Sequence, residues 1–379
     1  MTSTSLAPSF NLTDEQRMFA ESLRAALGDR HRLSDTVVGD VHRHERLLRA
    51  VRDLGLFELA AAGAGADDGP TVVDLVVACG ELGRAGAPMP YEAHAAAVWA
   101  LHRWSVAGSS DAGANVDALV SGDAMATLAL CEGESWFGGG WMTELHDGRV
   151  TGRKRHVPAS DTTTHAVVAV AGGGLALVDL RGPGVEAVQR EAADTTRPLM
   201  DVVFSAAPAV PIVTDDLSAA CELTDLAALL VSASALGAAG SMLDQAIEHL
   251  TNREQFGQKL VTFQAIRHQL ADVALELQPC QGLVWYTARE LDGDRDGRSR
   301  LVSMCKAHIT ETALRMARKL IPLQGAIAFT WDYGAHVALK RIVQDRALYG
   351  APEDHRHRAL ESAHWAPRRS QARAGVESV

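Results

Sequence analysis

Aromatic residues make up only 5% of the 379 positions, and the formal net charge is −11. A chain with that acidic balance lacks the basic surface that nucleic acid requires, so no nucleic-acid partner is expected. Cysteine is sparse as well: five residues, at 79, 131, 221, 280 and 305, with no CxxC pair. That spacing excludes a zinc ribbon or a redox dithiol, and the apolar stretches around the thiols suit reduced, buried cysteines in a cytoplasmic protein. The opening MTSTSLAPSF has no basic n-region and no long apolar core, so no signal peptide is expected. Apolar runs such as 225–240 are interrupted by Ser and Gly and read as too short for a bilayer, so no membrane is expected either. What is present is 47% hydrophobic and 22% charged, the balance of a globular protein with room for two or three domains. The acidic balance does not exclude an anionic cofactor, because a local arginine outweighs a diffuse, screened field.

Residues 12–27 carry Thr13-x-x-Gln16, the pattern of a capping box, ahead of Phe19, Leu23 and Leu27 on one stripe. Helical periodicity continues to about 122. Within it, Gly63-Ala-Gly65 reads as a flexible loop, since no strand precedes it and Asp68 stands where a dinucleotide motif has its third glycine. From about 123, Thr127–Leu130, Val167–Val170, Leu175–Leu180 and Asp201–Phe204 are short β-prone runs set between Gly and Pro. From about 217 the pattern is helical again. A small-residue apolar helix covers 219–251, a second helix covers 262–290, and a third runs from 299 to Ile321, where Pro322 is expected to stop it. Asp292–Gly297 mimics the first half of a calcium loop, but its twelfth position is Ser303, so a solvated loop and no metal are expected. The order predicts a mostly α protein with a small β domain: an all-α domain at 10–122, a β domain at 123–213, a helical bundle at 217–366 and a disordered tail at 367–379.

The most informative stretch is Arg253–Gln269, REQFGQKLVTFQAIRHQ. An Arg-x-Gln-Phe-Gly turn enters a helix whose Phe263, Ile266, Leu270, Val273 and Leu277 are separated by 3, 4, 3 and 4 residues, the spacing of a bundle-facing stripe. Arg253, Gln255 and Gln264 stand at the ends of two helices, where backbone donors are also free. This arrangement resembles the acyl-CoA dehydrogenase family, as do Glu81-Leu-Gly-Arg84-Ala and the segment 323–341, LQGAIAFTWDYGAHVALKR. The resemblance implies a helical domain, a β-barrel-like domain and a four-helix bundle, in that order. It further implies an acyl-CoA substrate, FAD clasped across a subunit boundary, an electron-transfer flavoprotein or other acceptor, and a homo- or hetero-oligomer. Carried over residue by residue, Arg253, Gln255, Phe256 and Gln264 would contact FAD. Gln324 and Gly325 would meet its pyrophosphate from a neighbouring subunit, and Asp225 would lie near the CoA arm.

The family's reaction removes a proton from the α carbon of the thioester and a hydride from the β carbon. The α-proton is weakly acidic, so a desolvated carboxylate base is needed. Here the resemblance breaks. The base position after Tyr349 is Gly350, an alternative on the preceding helix is Ala227, and a third used with bulky substrates is Ser234. Ala228 replaces an arginine beside the CoA-side aspartate, Pro322 replaces a glutamine before Gly325, and His156-Val-Pro158-Ala159 replaces a flavin-facing hydroxyl motif. The remaining carboxylate candidates are Glu353, Asp354, Asp225 and Asp332, with Asp332 equally suited to capping a helix. His268, His355 and His357 read as surface histidines. The pattern resembles subunits of actinobacterial heteromeric acyl-CoA dehydrogenases, in which a partner supplies the base; a non-catalytic scaffold of the same fold is the alternative.

Overall fold

The computed structural model describes residues 10–27, 41–62, 71–104, 116–133, 136–137, 141–214, 216, 218–293 and 297–361. The expected loop at Gly63–Gly65, the centre of the 292–297 loop and the tail at 367–379 lie outside those residues. The protein is mostly α with a small β region, as the sequence predicts.

Helices α1 (Asp14–Leu27), α2 (Val41–Asp53), α3 (Leu56–Ala62), α4 (Val72–Ala85) and α5 (Tyr91–Arg103) come first. Helix α1 starts at the capping box read from the sequence: Gln16 N donates to Thr13 Oγ1, and Thr13 N to Gln16 Oε1, both at 3.2 Å. Helix α4 begins on a second box, Thr71 with Asp74, and ends where Gly86 takes a left-handed φ of 62°. That conformation lets Gly86 N and Ala87 N cap the carbonyls of Gly83 and Leu82.

The sheet holds seven strands, β1 (Met125–Ala129), β2 (Glu144–His146), β3 (Arg149–Pro158), β4 (Thr163–Ala169), β5 (Leu175–Asp179), β6 (Val185–Arg190) and β7 (Leu199–Val213). Their order is β1-β4-β5-β7-β3-β2, with β6 also on β7. Strand β7 organises the layer. Its first half pairs with β3 and β6, and its second half with β5, so one long strand passes between two sheet segments. Register shifts and the positive φ of Ala206 accompany the bend. Strands β2, β3 and β6 carry no clean alternation of apolar and polar residues, which is why the β-prone runs did not include them.

Helix α6 (Ala219–Asn252) is the axis of the C-terminal bundle, joined by α7 (Gln264–Asp292), α8 (Arg298–Gln324), α9 (Ala335–Ala347) and α10 (Pro352–Glu361). It is 34 residues long, and by length and composition it could cross a membrane, contrary to the sequence-based reading of that run as too short. In this structure 83% of its apolar window is buried. Its small residues let α4 approach closely: Gly80 and Gly83 of α4 lie against the backbone of Gly237 and Ser234. Helix α8 also departs from expectation. Pro322 lies inside its last turn, where a missing N–H removes a single hydrogen bond, and the stop is Gly325 with φ 75°.

Candidate functional site

The Arg253–Gly257 turn is a two-residue hairpin. Strands β8 (Glu254–Gln255) and β9 (Gln258–Lys259) pair antiparallel around Phe256 and Gly257, at φ 56° and 76°. Two consecutive positive φ values match the twist of a tight hairpin, but at Phe256 that conformation strains an L residue. The strain places the Phe256 ring in solvent, 90% exposed, edge-on to Phe263 with centroids 6.3 Å apart. Arg253 closes α6, Gln264 opens α7, and Arg253, Gln255 and Gln264 are all exposed. Among the described residues the Arg253 guanidinium makes no hydrogen bond or ion pair, while Gln255 Nε2 donates to the neighbouring Glu254 carbonyl at 2.7 Å. The sequence thus builds an aromatic and cationic corner that faces outward.

Gln324 and Gly325 lie where α8 ends. Gln324 is buried, and its Nε2 donates to Leu320 O at 3.1 Å, leaving Oε1 without a partner. A side chain added at Gly325 would meet nothing within 4 Å, so the backbone there is open to close approach. Ile327, Phe329 and Trp331 follow, 42%, 68% and 52% exposed, an apolar surface continuous in sequence with the glycine. The next turn is tied to the end of α6: Gln245 Nε2 donates to Tyr333 O at 2.8 Å, and Tyr333 packs edge-on to His249, one turn before Arg253. Both halves of the expected cofactor set therefore sit at the same end of the bundle.

Asp225 belongs to another place. It lies 28 residues before Arg253 on the same helix, about 42 Å away at 1.5 Å per residue. It is buried, and burial raises its pKa. Arg358 of α10 grips both carboxylate oxygens and Ser299 donates to one of them. The arginine that pairs with Asp225 thus comes from across the bundle and not from position 228, which is alanine. Glu353 and Asp354 open α10: Glu353 pairs with Arg346 at 2.7 Å, and Asp354 Oδ2 accepts the N–H of Ala351 at 3.0 Å. Asp332 is exposed and does not cap α9, whose N-cap is Gly334. A glycine at φ 73° makes the bend that a capping aspartate would otherwise favour.

The three base positions hold no carboxylate. Ala227 and Ser234 are buried in α6, with Ser234 Oγ 3.4 Å from Arg341 Nη2. Gly350 has φ 104° and follows Tyr349 at φ 58°. His355, expected at the surface, is fully buried beneath this turn; its Nε2 donates to Tyr349 O at 2.9 Å and its Nδ1 faces Ser303 Oγ at 3.2 Å. Burial, aided by the nearby Lys306 charge, pushes its pKa down to about 3. The apolar spacing of α10 gives no hint of this, because the helix starts in a charged run. His268 and His357 are exposed.

Two charged clusters escaped the sequence reading. Arg197, on the approach to β7, is buried between Glu92 of α5 (3.1 Å), Asp194 (3.4 Å) and Asp345 of α9. Arg341 joins through Glu92 at 3.3 Å and Ala87 O at 2.7 Å. Burial raises the Asp345 pKa to about 6, against the pull of Arg197 and Arg341. The network bonds all three parts of the chain. The second cluster surrounds a cavity of about 640 Å³ on the sheet, lined by Glu132, Met142, Thr143, Arg153 and Arg155. Lys154 is buried against Glu132, and burial lowers its pKa to about 8. No periodicity marks such residues; only the count of charges within β3 could have drawn attention to them. None of the five cysteines is in a disulfide, four of them are buried, and no His, Cys, Asp or Glu group among the described residues could hold a metal.

Comparison with known proteins places this geometry. Residues 217–363 match the profile described as acyl-CoA dehydrogenase, C-terminal domain. Among curated relatives, acyl-CoA dehydrogenase IpdE2 of Mycolicibacterium smegmatis is 27% identical over 158 residues, 42% of this chain and 49% of that protein. Acyl-CoA dehydrogenase FadE34 of Mycobacterium tuberculosis is 27% identical over 294 residues, 76% of this chain and 38% of that protein. The chain thus spans about half or less of the length of these curated relatives. Among solved structures, the Tcur3481-Tcur3483 steroid ACAD G363A variant superposes with a TM-score of 0.79 at 26% identity, over 92% of this chain and 97% of that one. The ChsE4-ChsE5 complex from Mycobacterium tuberculosis also gives 0.79, at 22% identity over 95% of this chain and 100% of that one, a likeness of fold.

Proposed function

From a chain that carries an acyl-CoA dehydrogenase C-terminal domain within the acyl-CoA dehydrogenase fold, we propose an FAD-dependent acyl-CoA dehydrogenase subunit that takes its proton-abstracting carboxylate from a partner chain. The observation that carries this reading is Gly350, together with the burial of Ala227 and Ser234. Three of the four carboxylate candidates are committed elsewhere, Asp225 to Arg358 and Glu353 and Asp354 to the start of α10, and the fourth, Asp332, is exposed on the turn before α9.

The residues present fit FAD. Gln324 has a buried Oε1 with no partner, Gly325 and Gly257 leave open space where a side chain would stand, and Arg253 has an uncommitted guanidinium. These are donors, acceptors and close-approach points that suit a dinucleotide's phosphates and amides. Arg253, Gln255, Phe256 and Gln264 would contact it, and Gln324 and Gly325 of a neighbouring subunit would meet its pyrophosphate. When bound, the cofactor accepts the hydride from the β carbon of the acyl group. The exposed Phe256, Phe329 and Trp331 support assembly, because apolar surface beside a half-site is what a second subunit covers. The names of the Tcur3481-Tcur3483 and ChsE4-ChsE5 structures, each of two proteins, support a heteromer. Electrons would pass on to an electron-transfer flavoprotein or similar acceptor. We propose a cytoplasmic location, a reading supported by five cysteines that form no disulfide.

Arg253→Ala tests the cofactor assignment. It should strip flavin from the assembly while leaving far-ultraviolet circular dichroism unchanged; an unchanged flavin content would remove FAD from the account.

A further inference from the structure

The place beside Tyr349 where this family's base would stand is already full in this chain. A Cβ added at Gly350 would lie 2.6 Å from Phe137 Cζ, 2.8 Å from Phe137 Cε2 and 2.9 Å from His355 Nε2. Phe137 belongs to the connection between β1 and β2, so the obstruction comes from the sheet and not from the turn itself. We propose that Phe137 is a built-in plug that closes this chain's own thioester pocket and takes the space that a side chain at Gly350 would need. This inference rests on the reading of the chain as a base-less subunit and names how its own site is shut.

The plug is held from several directions. His355 meets the Phe137 ring edge-on at 4.9 Å, and the Arg358 guanidinium lies over it at 4.7 Å. Arg358 is fixed in turn by Asp225 and lies 3.5 Å from Ser303 Oγ, whose hydroxyl also faces His355 Nδ1. Trp136, next to Phe137, packs edge-on to Tyr349 at 5.2 Å, and Tyr349 is buried with its hydroxyl unpartnered. The turn at Gly350 is thus packed against an aromatic side chain of the protein itself, and the aspartate on α6 is tied to the arginine that lies over that ring. A carboxylate installed at position 350 would have to displace both Phe137 and a buried, neutral histidine.

Gly350 also has φ 104°, which strains any other residue whatever surrounds it. A thermodynamic cycle on the full chain separates the two effects, comparing the melting temperatures of the parent, Gly350→Ala, Phe137→Ala and the double variant. Backbone strain alone would make Gly350→Ala cost the same in both backgrounds. The plug requires that it lower the midpoint by on the order of 5 °C or more in the parent background and by clearly less once Phe137 is alanine. Equal shifts in the two backgrounds overturn the contact. Titration of octanoyl-CoA into the full chain purified alone then reads the pocket. Phe137→Ala should bind at least tenfold more tightly than the parent, and equal affinity overturns the plug. Neither readout depends on flavin, so these results are independent of the Arg253→Ala test of the cofactor site.

Discussion

Two glycines three residues apart on α6 should respond to alanine with opposite signs. In a helix interior Gly→Ala gains about 1 kcal/mol, because glycine loses more backbone freedom on folding. At Gly240 the new methyl meets only Arg84 Nη1, at 3.2 Å, the far end of a flexible side chain. Most of that gain should survive. At Gly237 the methyl would lie 2.8 Å from the carbonyl carbon of Gly80 and 3.1 Å from Arg84 N, both backbone atoms of α4. No rotamer relieves such a clash; the two helices must move apart. Their crossing is also pinned at Gly83, where a methyl would stand 2.7 Å from the carbonyl carbon of Ser234. Overpacking of this kind costs about 1–3 kcal/mol, and more where backbone meets backbone, so Gly237→Ala should lose about 2 kcal/mol net. The two variants should then differ by about 3 kcal/mol, on the order of 4 °C in melting midpoint for a chain of 379 residues. Differential scanning fluorimetry of both proteins decides it. Shifts of the same sign, or a Gly237→Ala protein at least as stable as the parent, would refute the close-packed crossing.

Other consequences follow from the buried charges. Arg197→Met should destabilise by about 3–5 kcal/mol, since it leaves Glu92, Asp194 and Asp345 facing one another with less compensation; urea denaturation reads the loss. Neutral, buried His355 has a folded pKa below its unfolded value, so its contribution is full above pH 6.5 and fades as pH falls toward 3. The stability difference between the parent and His355→Gln should therefore narrow by about 1.4 kcal/mol per pH unit between 6 and 4, a slope that equilibrium unfolding at several pH values measures. Taking the difference matters, because Asp345 and Asp292, with pKa values raised to about 6, gain stability over the same acid range. Of the five thiols, Cys221 alone is partly exposed and should react first with a thiol reagent under native conditions, while the buried four wait for unfolding.

The bundle was legible because its signals are local and periodic. The stripe from Phe263 to Leu277 and the capping box at Thr13 each fix an element from a few neighbouring residues. The outward-facing turn at Arg253–Gly257 was legible for a similar reason, as its Phe-Gly step demands positive φ within a short span. What stayed hidden depends on partners far apart in the chain. Nothing near Asp225 announces Arg358, 133 residues away, and nothing near Gly350 announces Phe137. Arg197 and Glu92 look like surface residues because burial of a charge is decided by three segments meeting. Strand β3 was missed on the same ground: its basic run, Arg153 to Arg155, is received by Glu132 and Asp201, far from it in the chain.

A chain that holds flavin but borrows its base should be silent by itself and active with a partner. The direct measurement is acyl-CoA-dependent reduction of an artificial electron acceptor by the chain alone and co-assembled with a Glu-bearing family subunit. No turnover is expected alone and turnover is expected in the assembly, abolished when the partner's glutamate is made glutamine while the flavin absorbance remains. Sustained turnover by the chain alone would contradict it.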